Sequence, residues 1–415
     1  AIHDTINYAR RALALLMTLP DSRARQEQEL SLLAPLGHSL LALRGGSDEE
    51  LEQLYWQTEQ LSRQLGRKWE LYLSQRNLWS SYSHTGRWRE TREIAESLTT
   101  MAYQLQEPAM IEDACNQLAL TKWLYGELEA AYADLAYPVT KPDNEGYQRF
   151  CQLSGFPPAI NHIGTEASIL WMLGYPDQAR SRYAAGMIQA RETRQGFSLA
   201  ISLEFLAWID YFLDSVAALQ ALADELIRLS TQYELMVFLE CGLILSGWSL
   251  VRQGNSELGF ARIQQGLTSM KRAGVYIEIT WYLAVLAEAQ LLAGYYAEAL
   301  AVVDEAFAFA ERIAEHFWQA ELWRLRGELL WKTEHDAVAA ASCYKQAIDI
   351  AHQQHAKALE LRACMSLARL WQSQNMHTHA YQQLATVYAW FSEGFDTADL
   401  QAAKNLLAEL AALID

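Results

Sequence analysis

Apolar positions along the chain recur every three to four residues over long stretches and almost nowhere alternate with a period of two. That beat marks amphipathic helices, and Ala, Leu, Glu and Gln, all good helix formers, fill the stretches. Glycines that end one helix and open a short turn stand at Gly46, Gly86, Gly126, Gly174, Gly254 and Gly294, separated by 40, 40, 48, 80 and 40 residues. The gap of 80 holds two units, with Leu213–Asp214 at the missing turn. The beat continues near Glu334 and to Asn375, a residue type that also tolerates the left-handed helix end. The pattern predicts nine helix-turn-helix units of about 40 residues.

Within each unit the second helix carries small residues at fixed offsets. Ala299, Val303 and Ala306 in one unit correspond to Ala179, Tyr183 and Gly186 in another and to Ala380, Leu384 and Val387 in the last. Small side chains at spacings of four and three let two helices approach closely, and the larger one between them fills the gap. One such unit cannot bury its apolar face alone, so units must stack. The expected fold is all-α: a right-handed superhelical solenoid of tetratricopeptide-like repeats, forming a single domain over residues 1–415.

Two segments depart from the beat. Residues 138–158 hold several prolines together with Asp143, Asn144 and Gly146, which predicts an irregular insertion loop, with room for a short helix at Tyr147–Leu153. It reads either as an ordinary insertion between helices or as a loop folding over the groove. Residues 395–415 read as a C-terminal capping helix, N-capped by Asp396 or Thr397, with Asp399 in its positive first turn. A helix is already under way at Ile2 with no initiator methionine, which reads as a piece of a longer protein.

Composition narrows the function. Apolar residues make up 51%, enough for a large core, yet no run is long and uninterrupted enough to cross a membrane. The formal net charge is −17 and no Lys/Arg run exceeds two residues, which argues against nucleic acid and anionic lipid as partners. Cys115, Cys151, Cys241, Cys343 and Cys364 are odd in number and scattered, the pattern of reduced thiols in a cytoplasmic protein. No phosphate-binding GxxxxGK[ST] loop, HExxH or GxSxG is present. His352 with His355, and His377 with His379, lack the further ligands of a closed zinc site. No catalytic residue, metal or cofactor is expected.

Several phrases resemble one family. The runs His316–Lys332, Ser342–Trp371 and Tyr388–Leu410 are similar to the C-terminal helical-repeat region of large bacterial proteins that couple a signalling domain to a STAND-type ATPase. Tyr8–Gly37, Leu173–Arg180 and Leu292–Arg312 fit the same family. The resemblance implies a regulatory arm serving catalytic domains, often a class III adenylate/guanylate cyclase or a kinase beside the ATPase. Where the family shows a Gly-x-Asp-Pro-Gly-like turn, this chain has Ser154-Gly155-Phe156-Pro157-Pro158, so no role resting on that aspartate carries over.

In tetratricopeptide repeats the first helix of each unit faces the concave groove. Counting from the helix-end turns places Asn161, Ser168, Trp171, Asp210, Tyr211, Trp248, Arg252, Trp281 and Glu288 inward. The same count adds Glu321, Arg324, Glu328 and Lys332, then Arg362, Arg369 and Gln372. The 14 tryptophans read either as packing between repeats or as aromatic anchors of the groove. Arg324, Lys332, Arg362 and Arg369 read either as ion-pair partners of Glu321, Glu328 and Glu360 or as a seat for an anionic or peptide ligand. The leading function is a non-catalytic regulatory module that binds a protein, peptide or small effector, its own ATPase or cyclase domains among the candidate partners. Alternatives are an architectural arm for homo-oligomerisation and the small-molecule-sensing domain of a transcription regulator.

Overall fold

The computed structural model describes residues 2–44, 48–139, 145–154, 157–193 and 195–414. Gly46, Asp143, Asn144, Gly155 and Phe156, named above, lie outside the described residues. Among the described residues there are 21 helices and no strand. A leading helix α1 (Ile2–Leu16) precedes the first pair, α2 (Arg23–Arg44) and α3 (Glu49–Leu65). Then come α4 (Lys68–His84) with α5 (Trp88–Leu105), and α6 (Pro108–Leu124) with the short α7 (Leu128–Asp134). After α8 (Glu145–Ser154) the pairing resumes with α9 (Pro158–Leu173) and α10 (Pro176–Thr193), then α11 (Gly196–Phe212) and α12 (Val216–Tyr233). The series continues through α13 (Met236–Arg252) with α14 (Ser256–Arg272) and α15 (Ile279–Ala293) with α16 (Tyr296–Ile313). Last are α17 (Gln319–Glu334) with α18 (Ala337–Gln353), α19 (Lys357–Ser373) with α20 (His377–Tyr388), and the terminal α21 (Ala398–Ile414).

This is a tetratricopeptide-like solenoid, and its turns fall where the glycine beat puts them. Gly86, Gly126, Gly174, Gly254 and Gly294 adopt left-handed φ, and so do Asp214 and Asn375. At the remaining turn the left-handed residue is His335, one position beyond the expected Glu334. The offset triads are buried in all three units. Two helices approach closely at Gly247 on α13 and Gly259 on α14. A Cβ on either would stand 2.6 Å from the other's carbonyl oxygen, so only glycine fits.

First and second helices differ in how they are buried. The first helix of a pair is covered on nearly every side: α15 is buried without a break from Ile279 to Ala287. Its partner α16 buries only Ala299, Val303, Ala306, Ala310 and Ile313, a single stripe. First helices therefore line the inside of the superhelix and second helices form its outer wall.

The superhelix closes on itself. The amide of Tyr276, in the connector after α14, donates to the His84 carbonyl at 2.6 Å. One repeat further along each strand of the coil, His316 N–H donates to the Leu124 carbonyl at 2.8 Å. A repeat beyond that, α19 packs on α9. Glu393 Oε1 accepts the Asp177 and Gln178 amides at 2.9 and 3.1 Å, capping α10 from more than 200 residues away. The segment expected as a loop over 138–158 carries the helix α8, whose Tyr147 and Phe150 are buried beside α6.

Candidate binding site

The inward positions of the later first helices meet in one hydrogen-bonded ladder. Glu288 Oε2 accepts from Tyr211 Oη at 2.6 Å and from Trp248 Nε1 at 2.9 Å. Arg362 faces Glu288 at 3.7 Å, donates to Glu321 at 2.9 Å and reaches Asp399 of α21 at 3.4 Å. Arg324 donates to Glu321 at 2.7 Å and lies 3.6 Å from Glu328, which accepts from Ser366 at 2.9 Å. The two guanidiniums hold Glu321 down at about 2 although burial pushes the other way. The sequence count thus brought together Trp248, Glu288, Glu321, Arg324, Glu328 and Arg362, satisfied by one another. Lys332 and Arg369 stand apart, exposed, and Glu360 pairs with Lys357 at 2.6 Å. Arg252 pairs with Asp214 at 2.9 Å, over the Trp248 ring.

Several tryptophans fill the interior. Trp171, Trp248 and Trp281 are all buried, the last completely. At the centre stands Trp208, with Trp123, Trp281 and Trp318 at centroid distances of 5.4, 5.4 and 5.9 Å. Trp171 stacks on Phe212 at 3.9 Å. These rings are core, packed in a mix of edge-to-face, tilted and stacked pairs. They anchor the inside of the coil, and Trp208 also faces the cavity beside it.

Next to this aromatic plug the coil leaves a cavity of about 440 Å³. Its walls come from α4 on one side and from α9, α11, α13 and the start of α15 on the other. Most of the lining is apolar, Phe197, Phe205, Phe238, Ile201 and Trp208 among it. Asn161, counted inward from the sequence, is part of the wall. Size and character match a site for a drug-sized molecule or a short peptide, roughly 300–1,000 Å³ and apolar with few polar groups.

The polar groups of the wall mix donors and acceptors, and its charged groups besides Arg76 are the carboxylates Glu204 and Glu278. His84 Nδ1 lies 2.7 Å from the Ser80 carbonyl, so that nitrogen carries the proton and Nε2 is an acceptor; burial keeps the ring neutral. Arg76 is spent on Asp113 at 3.3 Å. Glu204 accepts from Cys241 Sγ at 3.1 Å and from Tyr282 Oη at 3.2 Å. Glu278 lines the cavity beside it, and burial together with Glu204 and Glu315 raises its carboxyl well above the ordinary range. Behind Glu278, Glu315 is fully buried and accepts from the Glu278 and Thr280 amides at 2.8 and 3.1 Å. Burial pushes Glu315 up to about 7 despite those donors.

Glu204, Trp208, Glu278, Tyr282 and Glu315 are absent from the inward count. A signal for two of them exists, since Glu204 and Glu278 are lone carboxylates inside the apolar runs SLAISLEFLAWI and VYIEITWYL. An acid in such a run is costly to bury without a purpose.

Fold and cavity together define a tetratricopeptide-like repeat protein with a cavity on the inside of its coil. No family model matches the chain. It is similar to an uncharacterised protein of Rhizobium meliloti, 23% identical over 380 residues, covering 89% of this chain and 36% of that protein. The chain thus spans about a third of that relative's length. Among solved structures it is similar to a Rap protein complexed with competence and sporulation factor: TM-score 0.56, 9% identity, 92% of this chain and 99% of that one. A STAND signal-transduction ATPase with a tetratricopeptide-repeat sensor from Pyrococcus horikoshii gives a TM-score of 0.41 at 13% identity, covering 98% of this chain and 65% of that one. These likenesses are likenesses of fold. Among the described residues no helix is long and apolar enough to cross a membrane, and no group of three or more His, Cys, Asp and Glu is placed to hold a metal ion.

Proposed function

We propose that the chain is a non-catalytic sensing domain of a cytoplasmic signalling protein, which holds a small organic molecule or short peptide inside its closed superhelix. The cavity carries this reading. Its walls are drawn from helices up to five repeats apart, so an occupant bridges distant repeats and biases how tightly the coil closes. Differential affinity for two closures is what allosteric output requires. The output this reading expects is an accompanying STAND-type ATPase or cyclase domain. A Rap protein of related fold, captured with competence and sporulation factor, supports a binding role for such an interior. Trp248, Glu288, Glu321, Arg324, Glu328 and Arg362 then serve as the rigid spine that transmits closure, in place of a ligand seat.

The test is a thermal-shift screen of short peptides and metabolites against the wild-type chain and Asn161→Trp, which fills the cavity from α9. A true ligand raises the midpoint of the wild type by several degrees, as ligand excess over Kd dictates. The shift vanishes in the variant while its helical circular dichroism is unchanged. A library without a single wild-type shift, or a shift equal in both proteins, refutes the interior site.

A further inference from the structure

We infer that the cavity selects a cationic amphiphile: an ammonium or guanidinium group held between Glu204 and Glu278, with an apolar body against Phe205 and Phe238. This deepens the reading above and rests on it. Glu278 lines the cavity in a partly buried position, and among the described residues has no hydrogen-bond partner for its carboxyl oxygens. Glu204 has two weak donors, a thiol and a phenol, and no cation. Buried carboxylates are ordinarily paired, because an unpaired one gives up its hydration for nothing. Among the described residues no cation matches them: Arg76 is engaged with Asp113, and His84 stays neutral and offers an acceptor. The two carboxylates therefore ask for a donor, and an ammonium brings three. An anionic ligand would meet Glu204, Glu278 and, behind them, Glu315.

The groups facing Glu278 are Glu204, Glu315, Cys241 and Tyr282 on its own side of the cavity and Arg76 and His84 across it. In the empty site burial and mutual repulsion favour protonated carboxyls; an arriving cation reverses the balance. Binding is expected to release protons.

The experiment titrates the full chain by calorimetry with 4-phenylbutylamine, its neutral counterpart 4-phenylbutan-1-ol, and phenylalanyl-argininamide. A hydrogen bond to a charged group contributes about 1.5–3 kcal/mol, so the amine is expected to bind at least ~10-fold tighter than the alcohol. Its heat should vary with the ionisation enthalpy of the buffer, reporting proton release. Glu278→Gln and, separately, Glu204→Gln should bring the amine down to the affinity of the alcohol, with an unchanged helical circular dichroism showing that the variants are folded. Stronger binding of the dipeptide than of the amine points to a basic peptide as source, weaker binding to a free amine, and both agree with the inference. Equal binding of amine and alcohol by the wild type overturns the cation selectivity and leaves the interior site standing. Binding of none of the three overturns both.

Discussion

Arg362 on α19 donates to Glu321 on α17 at 2.9 Å, a contact from one first helix to the next across the inside of the coil. Arg324 holds the same carboxylate oxygen at 2.7 Å. One acid thus compensates two guanidiniums that are themselves mostly buried. Removing it leaves two charges without their main partner, and breaking a buried pair from one side costs about 3–5 kcal/mol. Glu321→Gln is expected to lose stability on that scale, read from the midpoint of urea unfolding. A loss below about 1 kcal/mol would show that water or Glu328 replaces the carboxylate.

The same residue sets the acid limb of stability. Its folded pKa, about 2, lies below the ordinary 4.5. A depressed carboxyl contributes stability that is complete above its unfolded pKa and lost as pH falls through the folded one. Unfolding free energy should therefore decline between about pH 4.5 and pH 2, and Glu321→Gln should flatten that decline. Urea melts across this range, wild type against variant, supply the comparison.

Glu315 pulls the other way. With its pKa raised from 4.5 to about 7, its contribution is complete below pH 4.5 and disappears as pH rises through 7. Asp210, pushed up to about 6 by burial, acts in the same window. Stability should sag between pH 4.5 and 7, and Glu315→Gln should remove part of the sag. An unaltered slope in the variant would mean that the Thr280 and Glu278 donors keep Glu315 ionised throughout.

How much of this could be read before any coordinates is a matter of range. The turns at Gly86, Gly126, Gly174, Gly254, Gly294 and Asn375 were legible because Gly and Asn tolerate the left-handed helix end, a local constraint. His335 was misplaced by one residue because neither Glu334 nor His335 announces that conformation. The ladder from Trp248 to Arg362 was legible by helical counting, but not its self-sufficiency. Whether Arg362 meets a ligand or Glu321 depends on how far one first helix sits from the next. The cavity was out of reach altogether: His84 and Tyr276 touch only because the superhelix closes after several repeats, and its pitch is written in no single repeat.

That closure has a latch to test. Glu393 caps the start of α10, and Arg180 pairs with Asp396 at 3.0 Å on the exposed flank. Losing a cap costs about 0.5–2 kcal/mol, whereas an exposed pair contributes about 0–1 kcal/mol. Glu393→Ala should therefore speed hydrogen exchange both at the start of α10 and through α21, with Arg180→Ala much milder. Exchange rising at only one of the two places would mean that the ends are held independently.

Trp208 links core to cavity, so its removal separates stability from binding. The ring touches Trp123, Trp171, Trp281 and Trp318 and also forms part of the cavity wall. Truncating a buried tryptophan to alanine costs about 3–5 kcal/mol when the site cannot collapse, and a ring wedged among four others has little freedom to collapse. Trp208→Ala should lower stability by that much and merge the vacated volume with the cavity. Trp208→Phe should cost less, because a smaller ring keeps most edge-to-face contacts. An enlarged cavity should then accept a bulkier apolar body, so a naphthyl analogue of 4-phenylbutylamine gains affinity in Trp208→Phe relative to wild type. If that analogue gains nothing while stability falls as expected, the ring belongs to the core alone and the ligand lies against the other walls.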